Sequence, residues 1–180
     1  MSGRPATEPV AELLQRLVRD VPDFPQPGVV FKDIAPLLAD GAAFGAVIGH
    51  FADRYRDRVD AVVGIEARGF MLAAPLAIEL GVGFVPVRKA GKLPGRTHRV
   101  SYDLEYGTAS VEVQVDAFTP GQRVLVLDDV LATGGTAEAS CELVEKAGAE
   151  VVELAMLMEL SFLSGRDRLP GRSIHSLLTV

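Results

Sequence analysis

The 180-residue chain has no tryptophan, one cysteine and three histidines. A lone Cys141 cannot form an internal disulfide, which rules out a disulfide-stapled secreted scaffold and fits a reducing compartment. None of His50, His98 and His175 has a partner spacing that suggests a metal site. Basic residues are outnumbered, 18 against 24 acids, for a net charge of −6. A nucleic-acid binder needs a basic surface to displace phosphate counterions, so that class is excluded. No apolar run approaches the length of a membrane-spanning helix. The N-terminal stretch lacks the apolar block and small-residue cleavage site of a secretory signal. These absences predict a cytoplasmic protein with neither membrane nor nucleic-acid partners.

An apolar fraction of 48% in a chain of this length supports one domain over residues 1–180 with a substantial core. Val10, Leu13, Leu14, Leu17 and Val18 recur at helical spacing behind Pro9 and predict an amphipathic helix ending before Val21. Pro22, Pro25, Pro27 and Gly28 then predict a stiff loop until about Val29. A second helix is expected from an N-cap at Asp40 through Tyr55. Beyond it the pattern changes to short apolar runs, Ala61–Ile65, Val82–Val87, Arg123–Leu127 and Val151–Met158. Helical segments Gly69–Leu80 and Thr136–Ala147 separate two pairs of them, with Gly148 placed as a C′ residue. This is βαβ alternation, which predicts an α/β fold with a parallel sheet, helices on both faces and a ligand crevice at the carboxyl ends of the strands. Arg99–Glu105 and Ala109–Val115 read as a hairpin turning at Gly107, with Val111, Val113 and Val115 on an apolar face and Glu112, Gln114 and Asp116 on a wet one. Leu177–Val180 is a candidate last strand.

The chemistry is concentrated in the run from Val124 to Thr136. An apolar strand delivers Asp128 and Asp129 to its carboxyl end, where carboxylates accept hydrogen bonds from a polyol such as ribose. Ala132, Thr133, Gly134, Gly135 and Thr136 follow, small or hydroxyl-bearing, so that backbone N–H groups can close on a phosphate at the start of a helix. Acids and phosphate loop in this order suit a ribose carrying a 5-phosphate. The run lacks the lysine of a nucleotide-triphosphatase loop. A second loop, Glu66-Ala67-Arg68-Gly69, follows the strand Ala61–Ile65. Arg68 there opposes the helix dipole unless an anion lies between them, and a diphosphate would serve.

The Val124–Thr136 run closely resembles the phosphoribosyl pyrophosphate signature of the type I phosphoribosyltransferases. Phe24–Ile34, Arg88–Gly95 and Ser101–Gly107 resemble the adenine-using members, and the resemblance extends from about Val21 to Val180. It implies the type I phosphoribosyltransferase fold, with an N-terminal hood over about residues 1–36 and a flexible β-hairpin flap over about 90–116. It also implies the reaction of adenine with phosphoribosyl pyrophosphate to give AMP and pyrophosphate, in a homodimer. Mg²⁺ would be carried by the substrate, with no direct protein ligand. By the same resemblance Val30 and Lys32 offer main-chain groups to adenine and Phe31 stacks on it; family members often have arginine in place of Lys32. Glu105 becomes the candidate acid/base group, and Tyr106 helps close the flap. Glu66, Ala67, Arg68, Arg88, Lys89 and Lys92 grip the pyrophosphate, with a cis peptide at Glu66–Ala67. Two alternatives are another purine phosphoribosyltransferase, for hypoxanthine-guanine or xanthine, and a non-catalytic regulator that senses phosphoribosyl pyrophosphate.

Overall fold

Pro9 stands at the N-cap of the first helix, α1 (Val10–Leu17), which buries Leu13 and Leu14 along one face. The structure, a computed structural model, describes residues 8–103 and 108–180. α1 ends at Leu17, short of the expected Asp20, because the next residues pair as a strand: β1 (Arg19–Pro22) runs antiparallel to β2 (Val30–Asp33), placing Val21 opposite Phe31, and the expected loop lies between them. Pro22 is tolerated because it ends the strand, where the ladder no longer requires its missing N–H. The loop between them holds Asp23 and Gly28 at positive φ, and the Asp23 carboxylate accepts from Gly28 N at 2.8 Å. A five-residue helix, α2 (Ala35–Ala39), follows. Asp40 then caps α3 (Gly41–Tyr55) as expected, its carboxylate accepting from Ala42 N at 3.1 Å and Ala43 N at 3.0 Å.

The chain divides into two compact units, Met1–Phe51 and Ala52–Val180. The second is built on a seven-stranded sheet. Its strands are β3 (Ala61–Ile65), β4 (Gly83–Lys89), β5 (Thr97–Asp103), β6 (Thr108–Gln114), β7 (Arg123–Leu131), β8 (Glu150–Glu159) and β9 (Ile174–Thr179). In space they run β5-β6-β4-β3-β7-β8-β9. The five from β4 to β9 are parallel, and the β5–β6 hairpin extends the sheet antiparallel through β4. The two crossover helices are α4 (Arg68–Leu80) and α5 (Gly135–Lys146), with Gly148 at φ 90° just past the end of α5.

Strand alternation places these helices on opposite faces. Ala61, Val63 and Ile65 of β3 and Val124 and Val126 of β7 share a core with Ala137, Cys141 and Val144 of α5. Gly64, pointing the other way, faces α4 so closely that a Cβ there would lie 2.9 Å from Ala73 Cβ. Cys141 is wholly buried in that first core. The last strand begins at Ile174 rather than Leu177.

The hairpin departs from its expected wet face. Glu112 is only 1% exposed, because β6 has β4 as a neighbour as well as β5, and the carboxylate is enclosed by the chain that joins β4 to β5. One oxygen accepts from the backbone N–H groups of Gly91, Lys92 and Leu93 at 2.8, 3.0 and 3.0 Å, and the other from Thr97 Oγ1 and Arg99.

A second buried carboxylate, Glu153 of β8, accepts from Arg54 through two bonds of 3.0 and 3.1 Å, from Tyr55 at 2.7 Å and from Ser173 at 2.6 Å. Burial pushes its pKa up, but the bonds from Arg54, Ser173 and Tyr55 outweigh it and hold the group at about 2, against an ordinary 4.5. The ionised form therefore stabilises the fold fully above about pH 4.5, and the contribution is lost as pH falls from there toward 2. Such a shift corresponds to roughly 3 kcal/mol at neutral pH. Glu153→Gln is expected to lower stability at pH 7 by about 2–3 kcal/mol and to flatten its pH dependence below 4.5, measured by urea unfolding across pH.

Candidate active site

β3 lies between β4 and β7, so chain progression reverses direction there and a crevice opens beyond the carboxyl ends of β3 and β7. The loop leaving β3 enters that crevice through a cis peptide at Glu66–Ala67, as expected, and α4 begins at Arg68. The next residue must be glycine: a Cβ on Gly69 would stand 2.8 Å from Leu127 O and 3.0 Å from Asp128 Oδ1. Its absence lets the first turn of α4 lie directly on the end of β7.

That approach brings the start of α4 and the acid pair of β7 into ionic contact, with Arg68 Nε 2.8 Å from Asp129 Oδ2. The cation at the helix start is thus offset by a carboxylate of the neighbouring strand. Asp129 is buried at 4% exposure, and its backbone N–H donates to Asp128 Oδ1 at 2.9 Å. Burial raises the pKa of Asp128, and the neighbouring Asp129 charge raises it further. Burial also raises Asp129, opposed by Arg68. The pair is therefore poised to be stabilised by a hydroxyl-rich or cationic ligand, which relieves the repulsion between two confined carboxylates.

The small-residue loop expected to hold a phosphate follows at once. Asp128, Val130 and the residues from Leu131 to Ala137 line a cavity of about 80 Å³. Gly134 has φ 86° and caps α5, whose first-turn N–H groups have no partner within the helix and are suited to an anion. The loop is braced from behind by a short 3₁₀ turn, Gly165–Arg168. A Cβ on Gly165 would collide with Ala132 O, and one on Gly134 with Gly165 O. Thr133 is exposed; Thr136 is half-buried and donates through Oγ1 to Tyr102 OH at 3.0 Å, which ties β5 of the hairpin to the loop. A larger space of about 460 Å³ lies between β5 and α5, lined in part by Glu138, Glu142 and Arg168. Two carboxylates in that wall oppose an anion, whereas the amides at the start of α5 border the smaller cavity.

Two of the cations expected to meet pyrophosphate, Arg88 and Lys92, gather on Glu66. Lys92 Nζ lies 2.9 Å from its carboxylate, Arg88 3.4 Å, and the backbone N–H of Lys89 donates to it at 2.9 Å. Burial pushes Glu66 up, but Lys92, the Lys89 amide and Arg88 together hold it at about 2. Arg88 also donates to Lys92 O at 3.1 Å. The Lys89 contact is thus through the main chain.

The structure brings together Glu66, Arg68, Arg88, Lys89, Lys92, Asp128, Asp129 and the loop from Ala132 to Thr136 within the second unit. Val30, Phe31 and Lys32, expected to contact adenine, belong to the first unit as consecutive residues of β2. Val30 is half exposed, Phe31 makes an edge contact with Phe24 at 5.1 Å between centroids, and Lys32 Nζ pairs with Asp20 at 2.7 Å. Glu105 and Tyr106 lie outside the described residues. Sequence reasoning missed Tyr102 and Gly165. Tyr102 was visible only as part of the Ser101–Gly107 run, and Gly165 carried no signal of its own.

A parallel sheet that sets an acid pair and a helix-start phosphate loop at its switch point is the construction of a phosphoribosyltransferase. Residues 37–169 match the phosphoribosyl transferase domain family. The chain is 60% identical to the adenine phosphoribosyltransferase of Acidothermus cellulolyticus, over 95% of this chain and 97% of that one. Among solved structures it is similar to the adenine phosphoribosyltransferase of Thermoanaerobacter pseudethanolicus, with TM-score 0.91, 49% identity, and coverage of 94% of this chain and 99% of that one. It is also similar to the Saccharomyces cerevisiae enzyme complexed with D-2,5-dideoxy-2,5-imino-altritol 1,6-bisphosphate and adenine, with TM-score 0.90, 40% identity, and coverage of 94% and 98%. The chain belongs to the adenine phosphoribosyltransferase family.

The close approach at Gly69 yields a direct test. Gly69→Ala forces α4 away from Asp128, at a cost of about 1–3 kcal/mol in stability. A displacement of this kind at a reacting centre is expected to reduce kcat/KM by about 10² while the protein remains folded by circular dichroism.

Proposed function

We propose that the protein transfers the 5-phosphoribosyl group of phosphoribosyl pyrophosphate to adenine, giving AMP and pyrophosphate, a purine-salvage reaction. The observation that carries this reading is the ion pair between Arg68 and Asp129, which couples a cationic loop to a ribose-suited acid pair beside a phosphate loop. The neighbours crystallised with adenine and an iminoalditol bisphosphate support it. The loop from Ala132 to Thr136 anchors the 5-phosphate and uses binding energy remote from the reacting carbon to orient the sugar. Asp128 and Asp129 hold the ribose hydroxyls and stabilise positive charge on the ring as the bond to pyrophosphate breaks. Arg68, Arg88 and Lys92, with the backbone around Glu66, Ala67 and Lys89, take the leaving group.

In the same proposal Mg²⁺ would be carried by the substrate with no direct protein ligand, and would supply positive charge to the leaving group beside Arg68, Arg88 and Lys92. Main-chain groups of Val30 and Lys32 select adenine: a backbone carbonyl that accepts from its exocyclic amine faces an oxygen in hypoxanthine or guanine. Phe31 stacks on the base. Glu105 serves as acid/base group near the purine imidazole, and Tyr106 helps exclude water from the oxocarbenium-like ring. The working form is a cytoplasmic homodimer.

AMP formation is the test, with adenine, hypoxanthine, guanine and orotate supplied in parallel with phosphoribosyl pyrophosphate and Mg²⁺. Turnover of adenine alone, abolished by a chelator and restored by Mg²⁺, is expected. Glu105→Ala should lower kcat by about 10²–10⁴ with little change in KM. A folded protein that binds phosphoribosyl pyrophosphate yet turns over no base would instead be a sensor.

A further inference from the structure

The chain between β4 and β5 carries Lys92, and its path is set by an anion that belongs to the protein. Gly91 adopts φ 84°, and the successive N–H groups of Gly91, Lys92 and Leu93 converge on a single oxygen, Glu112 Oε1, at 2.8–3.0 Å. Consecutive amides pointing at one place form a concave nest for a negative charge. Here the occupant is a side chain from β6, which is registered against Arg88 on one side and Arg99 on the other. Its second oxygen accepts from Thr97 Oγ1 at 3.3 Å and from Arg99 Nη2 at 3.2 Å. Burial pushes the Glu112 carboxyl up, but the bonds from Leu93, Arg99, Lys92 and Gly91 outweigh it and keep the group ionised. From this nest the Lys92 carbonyl holds Arg88 at 3.1 Å, and the Lys92 ammonium reaches Glu66 at 2.9 Å. A single buried charge therefore fixes the backbone from which two of the cations at the crevice are arranged.

We propose that Glu112 is a positioning residue for pyrophosphate: without touching substrate, it holds the chain from Gly91 to Leu93 in the shape that aims Lys92 and Arg88 at the leaving group. This rests on the transfer reaction proposed above. A residue that only stabilised the fold would affect both substrates alike. One that aims these cations acts on the diphosphate alone.

The decisive comparison sets the full chain beside Glu112→Gln, which keeps the shape of the side chain but removes the charge shared by five donors. Three readouts are taken: KM for phosphoribosyl pyrophosphate and for adenine, the affinity for pyrophosphate by calorimetry, and hydrogen exchange of the amides from Gly91 to Leu93. Losing charge-assisted bonds of this kind is expected to raise KM for phosphoribosyl pyrophosphate and to weaken pyrophosphate binding about tenfold each. The same principle leaves KM for adenine within about twofold, since no bond to the base is lost. The three amides should exchange faster. Glu112→Asp, which keeps the charge but withdraws it by one methylene, is measured in the same way and should show the same selective weakening; it also serves if the glutamine variant fails to fold. Unchanged pyrophosphate affinity with faster loop exchange, or an equal rise in both KM values, would overturn the proposal. If the unmodified protein makes no AMP, the transfer reading fails, and the pyrophosphate and exchange measurements still decide the role of Glu112.

Discussion

The contact between the start of α4 and the end of β7 is the constraint on which the site depends. Gly69 has no side chain, so the helix can rest on Leu127 O and Asp128, and from that position Arg68 reaches Asp129 at 2.8 Å. The start of α4 and the acid pair of β7 are thereby locked into one surface. The cost of a confined carboxylate pair, visible in the raised pKa values of Asp128 and Asp129, is offset in part by that arginine. What remains favours a ligand that brings hydroxyls and cations to the pair.

Three other carboxylates show how the same side chain is put to different ends by its surroundings. Glu153 is enclosed by Arg54, Tyr55 and Ser173 and joins the end of α3 to the sheet. Glu112 fills a nest of amides and gives a loop its shape. Glu66 collects Lys92 and Arg88 at the crevice, where an incoming diphosphate would compete for the same cations. Glu66 and Glu153 are both held at about 2, yet only Glu66 lies in a segment read as contacting a ligand. A depressed pKa alone does not mark a functional group; what lies around it does.

Much of this could be read before any coordinates. The buried strands β3, β7 and β8 announce themselves as apolar runs, and Gly148 and the Asp40 cap mark helix ends, because these signals are local. The run from Asp128 to Thr136 was legible because its chemistry is contiguous in sequence. Other features depend on contacts between distant residues. The α2 helix is too short for a periodicity to show, and β1 exists through its pairing with β2 despite ending in proline. Glu112 alternates with valines and so reads as wet, but its partners sit on β5 and in the chain that joins β4 to β5, distant in sequence. The brace between Gly165 and Ala132 has no local signature at all. Family resemblance supplied the cis peptide at Glu66–Ala67 and the roles proposed for Val30, Phe31 and Lys32, which composition and spacing could not.

The central claim is that Arg68 and Asp129 act as one unit in binding the substrate. A double-mutant cycle on the dissociation constant for phosphoribosyl pyrophosphate, using Arg68→Gln, Asp129→Asn and the two combined, tests it most directly. If the pair works as a unit, the combined variant binds little worse than the weaker single variant, with a coupling of about 1–3 kcal/mol. Strict additivity of the two losses would show that the residues act separately and would contradict the account.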